Sequence, residues 1–138
     1  MRTLVFVGLL SLIAACSSLS STPSEQDARI ALESAMKRTG PLFYRRNASE
    51  FFTVQSFRKT NGILGEKSGV KSYTLEFESE WRALTDLNNP FYTRKDNFRK
   101  GDLVMFTGTV DFIRTEKGWR ASAVRCYRGG IQQPFCDN

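Results

Sequence analysis

A helical spacing of apolar residues opens the folded part of the chain. Ser24 is a favourable N-cap before an acidic first turn, and Gly40-Pro41 stops the pattern. Between these signals the apolar residues recur at i, i+4, i+7 and i+8, which places them on one face of an α-helix. They are Ala28, Leu32, Ala35 and Met36. The spacing predicts an amphipathic helix over residues 24–39.

Farther along the chain the period shortens to two, which is typical of β-strands. Residues 70–83 carry the clearest alternation, with one apolar and one polar face. The apolar face holds Tyr73, Leu75, Phe77 and Trp81, and the polar face holds Thr74, Glu76, Glu78 and Glu80. We therefore predict that residues 70–83 form a long strand with one solvated face.

Three further segments have the pattern of strands. Residues 51–59 come first, and Asn61-Gly62 predicts a turn soon after them. Residues 103–114 and 119–127 follow, and a hairpin turn at residues 115–118 joins them.

The order of elements is thus helix, strand, long strand, strand, strand. One N-terminal helix packed on a curved antiparallel sheet of about four strands buries the apolar sides of both, which is an α+β arrangement. A length of 138 residues suits one domain, which we place at residues 24–138. This element order is similar to that of cystatin-like and NTF2-like domains. The chain carries no motif of either family from which site residues could be transferred.

The segment between the second and third predicted strands, residues 85–101, is long for a compact domain and favours a functional element. Its aromatic residues stand beside basic ones, a combination that suits contact with a headgroup, a sugar phosphate or an acidic partner. The alternative is a solvated loop whose aromatic rings cover the sheet edge. The candidate partner-binding residues are Phe91, Tyr92, Arg94, Lys95, Phe98, Arg99 and Lys100.

The first residues of the chain have the organisation of an export signal. Residues 4–15 are nearly all apolar and follow Arg2, but they are fewer than the roughly 20 that cross a bilayer as a helix. At the end of this run, Ile13-Ala14-Ala15-Cys16 resembles the lipobox of bacterial lipoproteins, in which an aliphatic and two small residues precede a cysteine. The resemblance implies that residues 1–15 are a signal peptide that is removed.

The same resemblance implies that Cys16 is lipidated and becomes the first residue of the mature chain. Ser17 follows it instead of Asp, which in that family directs the protein to the outer membrane. Residues 16–23 then form a lipidated cysteine and a Ser-rich tether. We expect an outer-membrane protein held by its lipid anchor, with its domain at the periplasmic face.

Cysteine count agrees with export. Of three cysteines, lipidation of Cys16 leaves Cys126 and Cys136 as an even pair, which an oxidising periplasm would join. Such a bond would contribute about 2.5–3 kcal/mol in the chain-entropy model. A metal site is the alternative, but the chain has no histidine and these are its only other thiols. We predict a disulfide, no metal and no cofactor.

The net positive charge of the chain limits the kinds of molecule that we expect it to bind. The chain has 20 basic and 14 acidic residues, a net charge of +6, and removal of Arg2 with the signal peptide leaves +5. This excess suits anionic lipid headgroups, lipopolysaccharide phosphates or an acidic protein, and the exported location disfavours nucleic acid. Lys117, Arg120, Arg125 and Arg128 could form one positive face together with the 85–101 segment, and the alternative is ordinary surface charge.

The sequence offers few residues of the types that usually act in catalysis. Without histidine there is no ordinary proton shuttle near neutral pH and no His-centred triad. Glu76, Glu78 and Glu80 have the spacing of an acid–base pair for glycoside hydrolysis, but they also fit a solvated row. In that case Arg58, Arg114 or Arg120 would pair with them. We expect no catalytic residues and no enzymatic activity.

We therefore expect a non-catalytic domain that binds an envelope protein or an anionic glycolipid, in an accessory, structural or inhibitory role. The alternative is a periplasmic carrier of a small apolar ligand, or an enzyme, with a pocket between helix and sheet. The aromatic residues of that pocket would be Phe52, Tyr73, Phe77, Trp81, Phe106 and Trp119.

Overall fold

The computed structural model of the protein describes residues 21–38, 47–88, 90, 97–133 and 136. Its α-helix, α1, is Glu25–Met36, and a single 3₁₀ turn follows at Ala48–Glu50. The strands are β1 (Phe52–Lys67), β2 (Val70–Ala83), β3 (Leu87–Asn88), β4 (Asn97–Phe98), β5 (Leu103–Thr115), β6 (Gly118–Arg128) and β7 (Ile131–Gln133). Residues 1–20, which include Cys16 and most of the tether, lie outside the described residues.

Helix α1 begins where the sequence places its N-cap. The Ser24 hydroxyl accepts a hydrogen bond from the Asp27 backbone N–H at 3.1 Å, and the Asp27 carboxylate accepts one from the Ser24 backbone N–H at 2.8 Å. This reciprocal capping box satisfies two donors that the first turn would otherwise leave unpaired. All four residues of the predicted apolar stripe are buried, together with Ala31. The helix ends at Met36 rather than near residue 39.

The main sheet is antiparallel and has the strand order β1-β2-β5-β6-β7. The short strands β3 and β4 form a separate ribbon. The α+β class is therefore confirmed, but the sheet has five strands rather than about four. The strand of the main sheet that the sequence did not predict is β7, because its three residues are too few to display an alternation; the two-residue strands β3 and β4 were not predicted either.

Strand β1 is longer than predicted, and the turn expected at Asn61-Gly62 is wrong. A register shift lies between Lys59 and Asn61, and β1 then continues to Lys67. The chain turns instead at Ser68 and Gly69, whose φ angles are 52° and 78°. Two consecutive positive φ values are the signature of the two-residue hairpin turn that matches strand twist. The dipeptide at 61–62 has turn chemistry, but pairing with β2 overrides it.

The inner face of the sheet packs against α1. Strand β2 alternates as its sequence predicts, since Tyr73, Leu75, Phe77 and Trp81 are 5% exposed or less. Trp81 stacks on Phe106 of β5, with ring centroids 4.0 Å apart. The core thus lies between one helix and the inner sides of β1, β2, β5 and β6.

The structure joins Cys126 and Cys136 as a disulfide, with their Cα atoms 5.6 Å apart, as the cysteine count predicts. Both residues are fully buried. Cys126 lies on the inner face of β6, so the bond fastens the end of the chain to the core.

Candidate binding groove

A groove of about 780 Å³, open to solvent, lies between α1 and the hairpin of β5 and β6. One wall is the helix, the other is the hairpin, and one end is closed by residues 21–23 before the helix. Its lining residues are Ser21, Thr22, Pro23, Asp27, Ile30, Ala31, Ser34, Arg38, Phe112, Arg114, Gly118, Trp119, Arg120, Ala121 and Val124. The groove is therefore mixed, with an apolar floor and basic residues along its sides.

The helical wall follows from residue spacing. Ile30, Ser34 and Arg38 are separated by four residues each, so they lie in one row along α1 and its C-terminal end. This row flanks the buried stripe, and Ile30 keeps 52% of its surface exposed. A large apolar side chain held half exposed beside a groove suits a surface that covers it on binding.

The other wall is organised around Trp119 of β6. Its indole Nε1–H donates a hydrogen bond to the Ser21 carbonyl oxygen at 2.6 Å. The ring packs at 6.2 Å from Tyr73, and the Arg114 guanidinium lies 5.4 Å from its centroid. The hydrogen bond to Ser21 and the contacts with Tyr73 and Arg114 therefore hold the indole in place beside the groove. The hydrogen bond also joins the segment before α1 to the sheet.

The groove is basic because arginines outnumber carboxylates among its described lining residues. Among these lining residues the charged ones are Arg38, Arg114, Arg120 and Asp27. Arg120 pairs with Ile113 on the outer face of the sheet, so Arg38 and Arg114 supply the guanidinium groups on the side of α1. Asp27 accepts hydrogen bonds from both the backbone N–H and the hydroxyl of Ser24 in the capping box. Guanidinium groups beside an indole and an apolar floor suit an acidic ligand that also carries apolar groups.

The outer face of the sheet, away from α1, carries the glutamate row. Glu78 forms an ion pair with Arg58 at 2.6 Å, as the sequence predicts. Arg114 does not join this row, since it lies against Trp119 at the groove. The glutamate row is therefore part of a partly solvated face of the sheet, on which charged side chains of neighbouring strands form ion pairs.

Asp111 of β5 is the buried carboxylate on this outer face, with its side chain 8% exposed. It accepts hydrogen bonds from the Thr74 hydroxyl at 2.7 Å, from Arg125 at 3.0 Å and from Lys67 at 3.3 Å. Burial raises the pKa of the Asp111 carboxyl, but the three donors together outweigh burial and hold this pKa below its usual range. Asp111 is thus an ionised acceptor that links β5 to β1, β2 and β6.

The candidate residues of the 85–101 segment are only partly described. Phe98 lies on β4, packs edge-on to Phe52 with centroids 6.1 Å apart, and lies under Arg128 at 5.1 Å. Arg99 and Lys100 are exposed after it. Phe98 thus covers the core at the start of β5, whereas Trp119 lies near the other end of that strand. The remaining candidates, Phe91, Tyr92, Arg94 and Lys95, lie outside the described residues.

The six aromatic residues proposed to line an internal pocket are core residues in all but one case. Five of them are buried to 5% exposure or less, and the Trp81 ring contacts those of Phe52 and Phe106. Only Trp119 is partly buried, and it belongs to the groove.

The described residues contain neither a metal-binding cluster nor a helix that could cross a membrane. They contain no cluster of three or more His, Cys, Asp or Glu side chains arranged to hold a metal ion. Within those same ranges, no helix has the length and apolarity that a membrane crossing requires. Comparison with protein-family models, with curated proteins and with solved structures found no match to this chain.

Sequence reasoning missed the groove because Ile30, Ser34 and Arg38 lie 81 to 89 positions before Trp119 in the chain. The row at Ile30, Ser34 and Arg38 has helical spacing, but only tertiary packing shows that it faces Trp119 rather than open solvent. Arg114 was expected to pair with the glutamate row, but it continues the even-numbered face of β5 that holds Val110 and Phe112, so the unbroken alternation of β5 places it on the inner side of the sheet.

Proposed function

We propose that this protein is a non-catalytic binding module of the bacterial outer membrane, anchored at the periplasmic face through lipidated Cys16. Its groove between α1 and the β5–β6 hairpin binds an acidic, partly apolar segment of an envelope protein. The observation that carries the proposal is the basic, indole-bearing groove placed directly beside the tether.

The position of the groove supports an orientation toward the membrane. The hydrogen bond from Trp119 fixes Ser21 at the groove, and only five residue steps separate Ser21 from Cys16. A fully extended chain of that length reaches about 17 Å. A lipid on Cys16 would therefore keep the groove within this distance of the bilayer surface.

The chemistry of the groove supports a protein segment as the ligand. Basic side chains select acidic groups, and Ile30, which is half exposed beside them, would be covered by an apolar side chain that a phosphate group lacks. A lone anionic headgroup would engage the arginines but leave Ile30 exposed. The groove is open to solvent and lies between a helix and a hairpin, which suits a bound peptide segment.

Site-specific photo-crosslinking in living cells tests the proposal. A benzophenone amino acid replaces Ile30 in the full chain, and the cells are irradiated before the envelope is solubilised. We expect one discrete protein adduct from this position. Met105 is the matched control, because it is 56% exposed and lies on the outer face, and it should give no such adduct.

A charge test on the same adduct separates specific binding from proximity. Arg38→Glu should reduce its yield at least tenfold, whereas Arg38→Lys should retain most of it. An adduct that survives Arg38→Glu, or that forms equally from Met105, contradicts the proposal. An adduct with lipopolysaccharide or with a small apolar molecule alone would replace the protein partner by a glycolipid or by a carried ligand.

A further inference from the structure

The far half of β1 is an open edge of the main sheet. The strand order places β1 at one side, paired only with β2. Near its middle the edge is closed, because the Glu25 carboxylate of α1 accepts a hydrogen bond from the Lys59 backbone N–H at 2.8 Å. Beyond that point residues 60–67 are all exposed, and Ile63 and Leu64 keep 51% and 62% of their surfaces exposed.

The hairpin geometry shows which backbone groups point outward. In a two-residue hairpin the flanking residues, here Lys67 and Val70, form a hydrogen-bonded pair. Bonding to β2 then alternates along β1, so the N–H and C=O groups of Gly62, Leu64 and Glu66 point away from β2. The Gly62 N–H is observed to point away from β2, since it donates a hydrogen bond to the Asn61 side chain at 2.8 Å instead of to β2. Within the described part of the chain, the outward groups of Leu64 and Glu66 have no partner.

We propose that residues Asn61–Lys67 of β1 are a self-association site, at which the same segment of a second copy pairs antiparallel about a two-fold axis at Leu64. The pairing would extend the five-stranded sheet of each copy into one continuous sheet across the dimer. This site is separate from the groove and does not depend on the function proposed for it.

The backbone satisfies this register without rearrangement. The two Leu64 residues exchange two N–H···O=C hydrogen bonds, and each Glu66 N–H donates to the Gly62 carbonyl of the other copy. The Asn61 side chain continues to cap the Gly62 N–H, so four new backbone hydrogen bonds form while no existing one is lost. This donor and acceptor pattern is that of an ordinary antiparallel ladder.

The side chains in this register are also complementary. Leu64 of one copy covers Leu64 of the other on one face, and on the opposite face Ile63 lies against Gly65, which leaves room for it. Lys67 lies opposite Asn61, and no like charges meet.

Neighbouring two-fold registers are less favourable. An axis at Ile63 places Lys59 opposite Lys67, which are like charges. An axis at Gly65 places Leu64 opposite Glu66 and Ile63 opposite Lys67, so both apolar side chains meet charged ones. The chemistry of the segment therefore selects the axis at Leu64.

Cysteine trapping in the full chain tests this geometry. Directly opposed residues of a hydrogen-bonded antiparallel pair have Cα atoms about 5.5 Å apart, which lies within the range that a disulfide bridges. We expect Leu64→Cys, oxidised mildly in intact cells, to give a disulfide-linked homodimer with at least ten times the yield of Val70→Cys. Val70 is an exposed control on the same hairpin, and the two-fold register separates its copies by more than about 20 Å.

A proline variant separates strand pairing from random collision. Glu66→Pro removes an outward N–H and leaves the bonds to β2 in place, as edge positions allow. In the Leu64→Cys background it should lower the dimer yield to the level of Val70→Cys. Retention of the buried Cys126–Cys136 bond in each variant verifies the fold. Equal trapping at positions 64 and 70, persistence of the dimer with Glu66→Pro, or a mixed disulfide with another protein would each overturn the proposal.

Discussion

Gly108 illustrates how a single residue determines close packing in the sheet. It lies on β5 directly opposite Phe77 of β2 and Cys126 of β6. A Cβ atom at this position would fall closer than 3.0 Å to both the Phe77 ring and the Arg125 carbonyl oxygen. Phe77 cannot easily move aside, because it stacks on Phe57 with centroids 4.7 Å apart.

We therefore expect Gly108→Ala to lower the free energy of unfolding by about 2–3 kcal/mol, as overpacking a filled core does. Urea denaturation measures this change. Thr107→Ala is the neighbouring control on the exposed face and should change the free energy by less than about 0.5 kcal/mol. Equal effects of the two substitutions would contradict the close approach of Phe77.

Asp111 makes stability dependent on acid pH. Asp111→Asn puts amide hydrogens where Lys67 and Arg125 donate, so we expect a loss of about 1–2 kcal/mol at pH 7. The pKa of the folded carboxyl lies below that of the unfolded one. The stabilising contribution is therefore complete above the unfolded pKa of about 4 and is lost as pH falls through the folded pKa.

Chemical denaturation at pH 7 and at pH 2–3 checks this expectation. The difference in unfolding free energy between wild type and Asp111→Asn should be constant at neutral pH and should shrink on acidification. A difference that grows as the pH falls would contradict the assignment of an ionised Asp111.

Among the elements, β7 depends most on a covalent bond. It has three residues, pairs only with β6, and is followed closely by Cys136. The disulfide spans ten positions of sequence, so in the chain-entropy model it contributes about 2.5–3 kcal/mol. Both sulfur-bearing residues are fully buried, which shields them from reagents while the fold is intact.

The paired variant Cys126→Ser with Cys136→Ser should accordingly lose about 2.5–3 kcal/mol, and amide exchange should rise first in β7. Exchange in β2 and β5 should rise only as the global stability falls. Hydrogen exchange read by mass spectrometry resolves these segments. Uniform destabilisation, without an early opening of β7, would show that the bond does not specifically secure that strand.

At the scale of the whole molecule, Trp119 connects Ser21, which precedes α1, to the main sheet. Its indole N–H donates to Ser21, and the interaction spans 98 positions of sequence. Trp119→Phe keeps an aromatic ring but removes the donor. We expect faster amide exchange in residues 21–24 and a stability loss of no more than about 1.5 kcal/mol.

A fixed tether would restrain how the groove is oriented relative to the lipid anchor that we propose at Cys16. Thr22→Ala is a control within the same segment, since it leaves the Ser21 carbonyl and the indole in place. If both variants loosen the tether equally, the Trp119 hydrogen bond is not its restraint.

The sequence alone determined those helices and strands in which the spacing of apolar residues and the residues at the ends predict the same element. Strand β2 needs only its alternation, and α1 needs only Ser24 and its apolar stripe, since both signals act within a few residues. The disulfide also followed from counting cysteines. The cleavage site and lipid at Cys16 remain predictions from the sequence, as do the candidate binding residues 91–95.

Tertiary structure decided everything that depends on contacts between distant segments. Pairing with β2 carried β1 through Asn61-Gly62, although these residues favour a turn locally. Packing of α1 against the β5–β6 hairpin brought Ile30, Arg38 and Trp119 to one groove, and the strand order left half of β1 as an open edge. The local conformational preference of a residue contributes about 1 kcal/mol. A paired and packed strand gains free energy from many hydrogen bonds and buried side chains together, so this larger sum decides the fold.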